Sequence, residues 1–235
     1  MNKFNIIRNN RLFYWIYKLQ KILKNKKPNT HYAEFGEDIF INRLFKNKKR
    51  GFYVDVGSYH PFKGSLTKKL YDKGWKGVNI DISKTSVDLF NISRPHDYNI
   101  NCAISANTSE TFYYENSPIN QQNSLIKQND DQKKIKIKSY NLNELLSDYK
   151  IQHVDYINID TEGTEIDIIK SINFKEINPI LLTIEDNEIF TNFDLKKEKI
   201  QYLKEHNYEL INIIGVTLFF IKIDHLDKIA EMIKI

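Results

Sequence analysis

Carboxylates stand at the ends of two apolar segments in the first half of the sequence. Asp55 is followed by Val56 and Gly57, and Asp81 is followed by Ile82. If these segments are strands, the acids lie where a carboxylate can accept hydrogen bonds from the hydroxyls of a ribose. A glycine at position 57 would let the backbone approach a bound molecule closely. The two segments together indicate a site for an adenosine-containing ligand.

A denser acidic cluster occurs in the sequence DTEGTE, residues 160–165. Capping of the following helix would explain one such carboxylate, but the segment contains several. We therefore interpret Asp160 and Glu162 as contacts to a cofactor, to a substrate or to a divalent cation, for which Mg²⁺ is the candidate because it prefers oxygen ligands. Glu185 ends a further apolar segment and is expected to line the pocket of the second substrate, with an exposed surface charge as the alternative.

His60 is the first candidate for a general base. It is the only one of the six histidines that directly follows the turn after the first strand. A neutral imidazole can accept a proton near pH 7. Two alternatives remain open: His60 orients the loop before Pro61, and the proton is taken by Asp160 or Glu162, directly or through Mg²⁺.

The elements that must position these residues follow an alternating pattern of strands and helices. Short apolar runs with β-branched residues predict strands, and apolar residues at helical spacing predict helices. The predicted strands are 52–56, 77–82, 98–105, 111–114, an edge strand at 133–138, 154–159, 180–184, 208–214 and 216–223. The predicted helices are 36–45, 66–73, 86–92, 142–149, 165–172 and 195–206. This order predicts an α/β fold with a mostly parallel sheet that ends in an antiparallel hairpin.

Composition predicts one domain, residues 31–235, preceded by a basic helical appendage, residues 1–30. The first 30 residues hold eight Lys and Arg and no Asp or Glu, so a net charge of +5 for the chain leaves 5 − 8 = −3 for the rest. The apolar run 12–17 is far shorter than the ~20 residues that span a bilayer. Two interpretations remain: an interfacial helix on anionic lipid, or a terminal helix packed on the domain or in a homo-oligomer. Pro28 to Thr30 are expected to end this helix.

A single cysteine excludes an internal disulfide, and no Cys/His cluster suggests a zinc site. We expect a cytoplasmic protein, and the interfacial interpretation of the basic segment would place it at the inner membrane face. No nucleic-acid partner is indicated, because the domain carries no dense Lys/Arg stripe. The absence of a G-x-G-x-x-G motif disfavours a dinucleotide such as NAD.

Several motifs in order resemble the FkbM family of methyltransferases. They are GED at 36–38, the segment 51–82, Arg94-Pro95, NCAIS at 101–105 and YINIDTEGTEIDIIKS at 156–171. The resemblance implies a class I (Rossmann-like) fold with a seven-stranded sheet and S-adenosylmethionine as methyl donor. It also implies an acceptor of the sugar-hydroxyl type, either a nucleotide-linked sugar or a precursor of a surface glycan.

The resemblance assigns cofactor contacts to named positions. These are Glu37 and Asp38 in the opening motif, Asp55, Gly57 and Ser58 in the first turn, Asp81 and Ile82 at the ribose, Ala103 near the adenine, and Asp160. Two stretches depart from the family pattern, Ala33-Glu34 and Gly64 to Thr67. We take these departures to concern the acceptor more than the cofactor. The alternatives are a nucleotide-sugar or other nucleotide-binding enzyme, and a non-catalytic scaffold held at membranes by its basic terminus.

Overall fold

A computed structural model describes residues 11–25, 31–187 and 193–233 of the chain. Its main element is a seven-stranded sheet of order β3-β2-β1-β7-β8-β10-β9. The strands are β1 (Phe52–Val56), β2 (Lys76–Asp81), β3 (Tyr98–Asn101), β7 (Tyr156–Ile159), β8 (Leu181–Glu185), β9 (Tyr208–Ile214) and β10 (Thr217–Lys222). All neighbours pair in parallel except β10, which is antiparallel to both β8 and β9. The predicted mostly parallel sheet with a closing hairpin is confirmed.

Helices flank this sheet on both faces. They are α1 (Arg11–Asn25), α2 (Glu37–Leu44), α3 (Lys68–Asp72), α4 (Lys84–Ser93), α5 (Leu142–Asp148), α6 (Glu165–Ser171), α7 (Phe193–Glu205) and α8 (Asp227–Ile233). The helices predicted between residues 36 and 206 are confirmed with small differences at their ends. The C-terminal helix α8 was not predicted.

The core has two halves because successive strand side chains point to opposite faces of the sheet. In β1, Val54 and Val56 are buried on the face covered by α5, α6 and α7. Tyr53, between them, is buried on the face covered by α2, α3 and α8. The central strands are therefore apolar on both sides, as expected for parallel strands between helices.

A second sheet of three strands lies beside the first, in the order β4-β6-β5. It contains β4 (Ala103–Ile104), β5 (Ser109–Glu115) and β6 (Lys133–Tyr140). The strand predicted at 133–138 is confirmed as β6, but its predicted position at a sheet edge is wrong, because β6 pairs with β4 on one side and β5 on the other. The single strand predicted at 98–105 is divided at Cys102, where the chain leaves β2 and begins to pair with β6. The alternation of Ile and Lys predicts that β6 has one apolar and one polar face. It does not predict how many strands pair with β6.

The helix α1 packs against α4. The hydroxyl of Tyr14 donates to Asp88 Oδ2 (2.7 Å), and the Lys18 ammonium lies 3.9 Å from the same oxygen. Ile22 is buried in a small cluster with Phe62 and Leu89. The predicted break at Pro28 to Thr30 lies outside the described residues, as do residues 1–10. Within the part of the chain that the structure describes, every helix is too short or too polar to cross a bilayer.

Strand order reverses between β1 and β7, because the chain places β2 and β3 on one side of β1 and β7 and β8 on the other. In open α/β sheets the ligand site lies at such a point, beyond the carboxyl ends of the strands. The carboxyl ends of β1, β2, β7 and β8 all meet at this edge.

Candidate active site

A cleft of about 830 Å³, open mouth included, lies at this edge of the sheet. Predicted site residues that line it are Asp55, Gly57, Ser58, Asp81, Ile82, Ala103, Asp160, Glu162 and Glu185. The strand-end prediction thus brings together nine residues from three strands of the main sheet, one short strand of the second sheet and the turns after β1, β2 and β7.

The turn after β1 requires glycine at position 57. Gly57 has φ +79°, and a Cβ built on it would lie 1.5 Å from the carbonyl oxygen of Asp160. The amides of Gly57 and Ser58 both donate to the carbonyl of Ile80, at 2.9 and 3.1 Å. The turn is therefore fixed against the ends of both β2 and β7.

Ser58 supplies an open hydrogen-bonding group in this turn. Its side chain is buried, and among the described residues its hydroxyl oxygen has no hydrogen-bonding partner. A buried polar group without a partner costs free energy unless a ligand or water satisfies it. Ser58 lines the cleft, so the turn fits a ligand that carries polar groups.

Asp55 is held below the turn by side chains from two elements. Its Oδ2 accepts from the hydroxyl of Thr67 (2.7 Å) and its Oδ1 accepts from the amide of Asn158 (2.9 Å). Burial raises the pKa of Asp55. Thr67 also accepts from Arg94, a fully buried guanidinium that donates to Ser65 as well. Arg94 is thus a positioning residue for the segment after β1, a role that sequence reasoning did not assign.

Asp81 lies at the end of β2 beside an apolar wall. Its two oxygens accept from the amides of Tyr59 and Ser83, both at 2.7 Å, and burial raises its pKa to about 6. Tyr59 has φ +51°, a conformation that costs a non-glycine residue free energy. Cys102 and Ala103 form the adjacent wall. A carboxylate next to an apolar wall suits a ribose and its attached base.

The opposite end of the cleft is acidic. Asp160, Glu162 and Glu185 each offer one carboxylate oxygen, and these oxygens lie within 4.8 Å of one another. The amide of Asn187 donates to both Glu185 (3.0 Å) and Glu162 (3.2 Å). Glu165 accepts from the amides of Thr161 and Gly163 instead, so it shapes the turn before α6.

Mutual repulsion and burial disfavour full ionisation of this cluster. Burial, followed by the charge of Glu185, raises the pKa of Asp160 well above its ordinary value. Burial and the charges of Glu185 and Glu165 raise the pKa of Glu162 to about 7. The pKa of Glu185 is also raised, chiefly by burial. The cluster can therefore exchange protons near neutral pH, or balance a positive charge placed beside it.

His60, the first candidate for the general base, does not reach the cleft in the described part of the chain. His60 is 1% exposed, and it is not among the described residues that line the cleft. Its Nδ1 accepts from the amides of Phe62 and Lys63, at 3.1 and 3.2 Å. Burial lowers its pKa to about 4, which makes it a weak base at pH 7. The alternative interpretation, that His60 orients the loop around Pro61, fits these contacts.

Glu37 and Asp38 lie at the start of α2, away from the described lining of the cleft. Glu37 accepts from the amide of Phe35 (2.8 Å), and Asp38 accepts from the amide of Tyr32 (2.8 Å). The carbonyl of Tyr32 in turn accepts from the amide of Gly64 (2.9 Å), in the segment after β1. These two acids hold the loop before α2, and their predicted contact with the cofactor stays a prediction.

The loop between β5 and β6 contributes lining residues that sequence reasoning missed. Asn120, Gln121, Asn123 and Leu125 reach the cleft from this loop. The backbone of Ser124 pairs with Tyr114, and its hydroxyl donates to the carbonyl of Glu162 (2.9 Å). A long irregular segment inside a compact domain is often functional, and its length was the available signal.

The doubly wound sheet closed by the antiparallel β10, the glycine turn after β1 and the acid at the end of β2 are the features expected of a class I methyltransferase. The sequence profile of the methyltransferase FkbM domain matches residues 55–210, about two thirds of the chain. The chain therefore belongs to the FkbM methyltransferase family and is an S-adenosylmethionine-dependent methyltransferase. This assignment replaces the alternatives of a nucleotide-sugar enzyme and a non-catalytic scaffold.

Two solved structures are similar to the chain at low identity. A proposed RNA methyltransferase from Pyrococcus horikoshii is 8% identical, with a TM-score of 0.42 over 88% of this chain and 99% of that one. A SAM-dependent methyltransferase from Geobacter sulfurreducens, in complex with S-adenosyl-L-homocysteine, is 10% identical, with a TM-score of 0.43 over 83% and 72%. At identities of 8% and 10% and TM-scores of 0.42 and 0.43, these likenesses carry no conclusion about the function of this chain. The chain has no significant match among curated proteins.

Proposed function

We propose that the protein transfers a methyl group to a hydroxyl oxygen of a sugar-like acceptor. The observation that carries this proposal is the cluster of Asp160, Glu162 and Glu185 at one end of the cofactor cleft. An alcohol attacks a methyl group only as it loses its proton, so the site needs a base at the point of transfer. A carboxylate whose pKa is raised towards neutrality suits that role.

The order of strand ends gives the cleft a direction. Asp81, Gly57, Asp160 and Glu185 lie at the carboxyl ends of β2, β1, β7 and β8, which are neighbours in that order. Strands lie about 4.8 Å apart, so three steps span roughly 14 Å. If Asp81 held the ribose and Ala103 contacted the adenine, the remainder of the cofactor would be directed towards the acidic cluster. Bound S-adenosylmethionine supplies a methyl group already activated on a positively charged sulfur.

An adjoining pocket supports a polar acceptor. It shares Glu162 and Glu185 with the cofactor cleft and encloses about 710 Å³, mouth included. Among the described residues, most of its lining is polar or charged: Gln128, Glu162, Glu165, Glu185, Asp186, Asn187 and Lys199. Asp186 is buried, and one of its carboxylate oxygens has no partner in the described part of the chain. A polyhydroxylated molecule could satisfy such donors and acceptors, whereas an apolar one would leave them unpaired.

Glu162 is the proposed general base. It lines both pockets, and its pKa of about 7 is close to the working pH, where a base is most effective. Glu162 takes the hydroxyl proton as the acceptor oxygen bonds to the methyl carbon, and the sulfur leaves as a neutral thioether. Asn187 orients Glu162 through its amide. Asp160 and Glu185 share protons beside it and favour the cationic donor.

Mg²⁺ on the same three carboxylates is the alternative. A cation there would lower the pKa of the acceptor hydroxyl directly, and Glu162 would act as a ligand rather than a base. A chelator and added Mg²⁺ distinguish the two mechanisms. Rates that do not respond to either support the carboxylate base.

The decisive experiment measures transfer of a radiolabelled methyl group from S-adenosylmethionine to a panel of nucleotide sugars and free glycans. We expect Glu162→Gln to lower turnover by roughly 10²- to 10⁴-fold, the usual contribution of a general base, with little change in cofactor affinity. The exposed Glu205→Gln is the matched control and should retain full activity. Unchanged turnover of Glu162→Gln contradicts the base, and transfer only to non-sugar acceptors contradicts the substrate class.

A further inference from the structure

The helix α1 presents an exposed apolar face. Leu12, Trp15, Ile16 and Leu23 are 63%, 53%, 37% and 66% exposed, and Leu19 is half-buried between them. Their spacing of three and four residues places all five on one side of the helix. We call these five residues the α1 apolar face. Such a contiguous apolar surface marks an interaction site more often than scattered single residues do.

A neighbouring side of α1 is fixed to the domain. Tyr14, Lys18 and Ile22 are the residues that contact α4 and the cluster around Phe62. These positions follow one another at intervals of four, and their centre lies about 120° from that of the α1 apolar face on a helical projection. The helix is therefore held in one orientation, with its apolar face directed away from the domain.

Charge decides which partner fits this face. All charged residues of α1 are basic: Arg11, Lys18, Lys21 and Lys24. The first 30 residues carry eight positive and no negative charges, whereas the rest of the chain sums to −3. A second copy of the same helix would bring like charges together. A bilayer surface with anionic headgroups offers both an apolar layer and the opposite charge.

The geometry points to α1 as an in-plane docking helix for an anionic lipid surface, with the α1 apolar face inserted at the headgroup boundary. The helix has 15 residues, enough for such an interfacial helix but short of a span. The helix α1 is also connected to the turn after β1, which we assign to cofactor binding. The backbone of Lys21 hydrogen-bonds the His60 ring, one residue beyond Tyr59. His60 therefore joins the docking helix to the cofactor site.

The test uses the full chain and vesicles of phosphatidylcholine alone or mixed with phosphatidylglycerol. In co-sedimentation we expect several-fold more protein on the anionic vesicles, and less as salt increases, because surface charges are screened. The variant Trp15→Ser/Ile16→Ser/Leu23→Ser should reduce anionic binding at least tenfold. Ile213→Ser is the matched control, since Ile213 is 38% exposed on β9, at the sheet edge opposite β3, and it should bind like the wild type.

Fluorescence gives a second readout that does not depend on pelleting. The chain has two tryptophans, and Trp75 is 2% exposed, so a vesicle-induced blue shift reports Trp15. We expect the shift in the wild type and its loss in Ile16→Ser/Leu23→Ser. Equal binding to both vesicle types, or unchanged binding of the triple variant, overturns the proposal. Dimers in sedimentation velocity that the triple variant dissociates would instead assign the face to a second copy.

Discussion

Gly57 lets the turn after β1 lie close to Asp160 at the end of β7. Replacing Gly57 tests whether the fold depends on this close contact. A Cβ at position 57 would lie 1.5 Å from the Asp160 carbonyl, whereas at Gly74, which also has positive φ, it meets no atom within 4 Å. We expect Gly57→Ala to destabilise the fold by about 3 kcal/mol or more, through overpacking added to backbone strain. Gly74→Ala should cost only about 1 kcal/mol, the strain alone. Urea denaturation measures both, and equal losses would contradict the steric account.

Glu162 should make stability depend on pH. Its pKa rises from an ordinary 4.5 to about 7 in the folded chain. The stability it contributes is therefore complete below about pH 4.5 and is lost as pH rises through about 7. We predict that Glu162→Gln gains melting temperature relative to the wild type as pH increases from 5 to 8. Thermal denaturation at both pH values checks this.

The exposed Glu205→Gln serves as the control for that measurement. It removes a carboxylate that lies outside the acidic cluster. If the difference between Glu162→Gln and the wild type is constant from pH 5 to pH 8, the carboxylate is not held in the acidic cluster as described.

The polar residues at the strand ends could be predicted from sequence. The burial and the pKa of the candidate general bases could not. Asp55, Gly57 and Asp81 were identified because periodicity locates the end of a strand to within a residue or two. The burial of His60, and its hydrogen bond with the backbone of Lys21 about 40 residues away, could not be predicted, because spacing does not report such contacts. The raised pKa of Glu162 likewise results from its burial and from the nearby charges of Glu185 and Glu165, which only the folded chain defines.

The helix α1 offers neighbouring residues with opposite environments. Ile22 is buried against Phe62 and Leu89, and Leu23 is 66% exposed. We predict that Ile22→Ala lowers the free energy of unfolding by about 2 to 4 kcal/mol, as for other buried aliphatic truncations. Leu23→Ala should change it by less than about 0.5 kcal/mol. Chemical denaturation without lipid tests the pair.

This pair also separates a docked helix from a detached appendage. If both variants are as stable as the wild type, α1 does not pack on α4, and residues 1–30 are a separate segment as the sequence predicted. A large effect of Ile22→Ala alone makes α1 part of the folded domain.

The positions of the strands along the chain were predicted better than the pairing between strands. Apolar periodicity gave the seven strands of the main sheet and the antiparallel β9–β10 pair, because burial on both faces imposes it. Alternating Ile and Lys in β6 correctly gave a strand with one buried face. Pairing with β4 was not predictable, since it depends on where the chain turns at Cys102.

The melting temperature of the protein should rise with some ligands and not with others. A ligand that binds only the folded state adds about 2.7 kcal/mol at a concentration one hundred times its Kd. For a chain of this size that corresponds to a rise of roughly 5–10 °C in melting temperature. We predict such a rise with S-adenosylhomocysteine and none with NAD. A shift with NAD and none with S-adenosylhomocysteine would contradict the cofactor assignment, while a further shift with a nucleotide sugar would support the acceptor class.

The loop of the β5–β6 hairpin is a place where the substrate range of this enzyme can change. Its strands are paired from Ser109–Ser139 to Glu115–Lys133, so the loop between them leaves and re-enters the fold at adjacent points. Changing the length of a loop with closed ends costs little stability. The hairpin is therefore a module: insertions between residues 116 and 132 could reshape the wall above the cleft while the turns that hold the cofactor stay in place. Substrate range in such a scaffold can evolve by loop exchange, without renewed optimisation of the donor site.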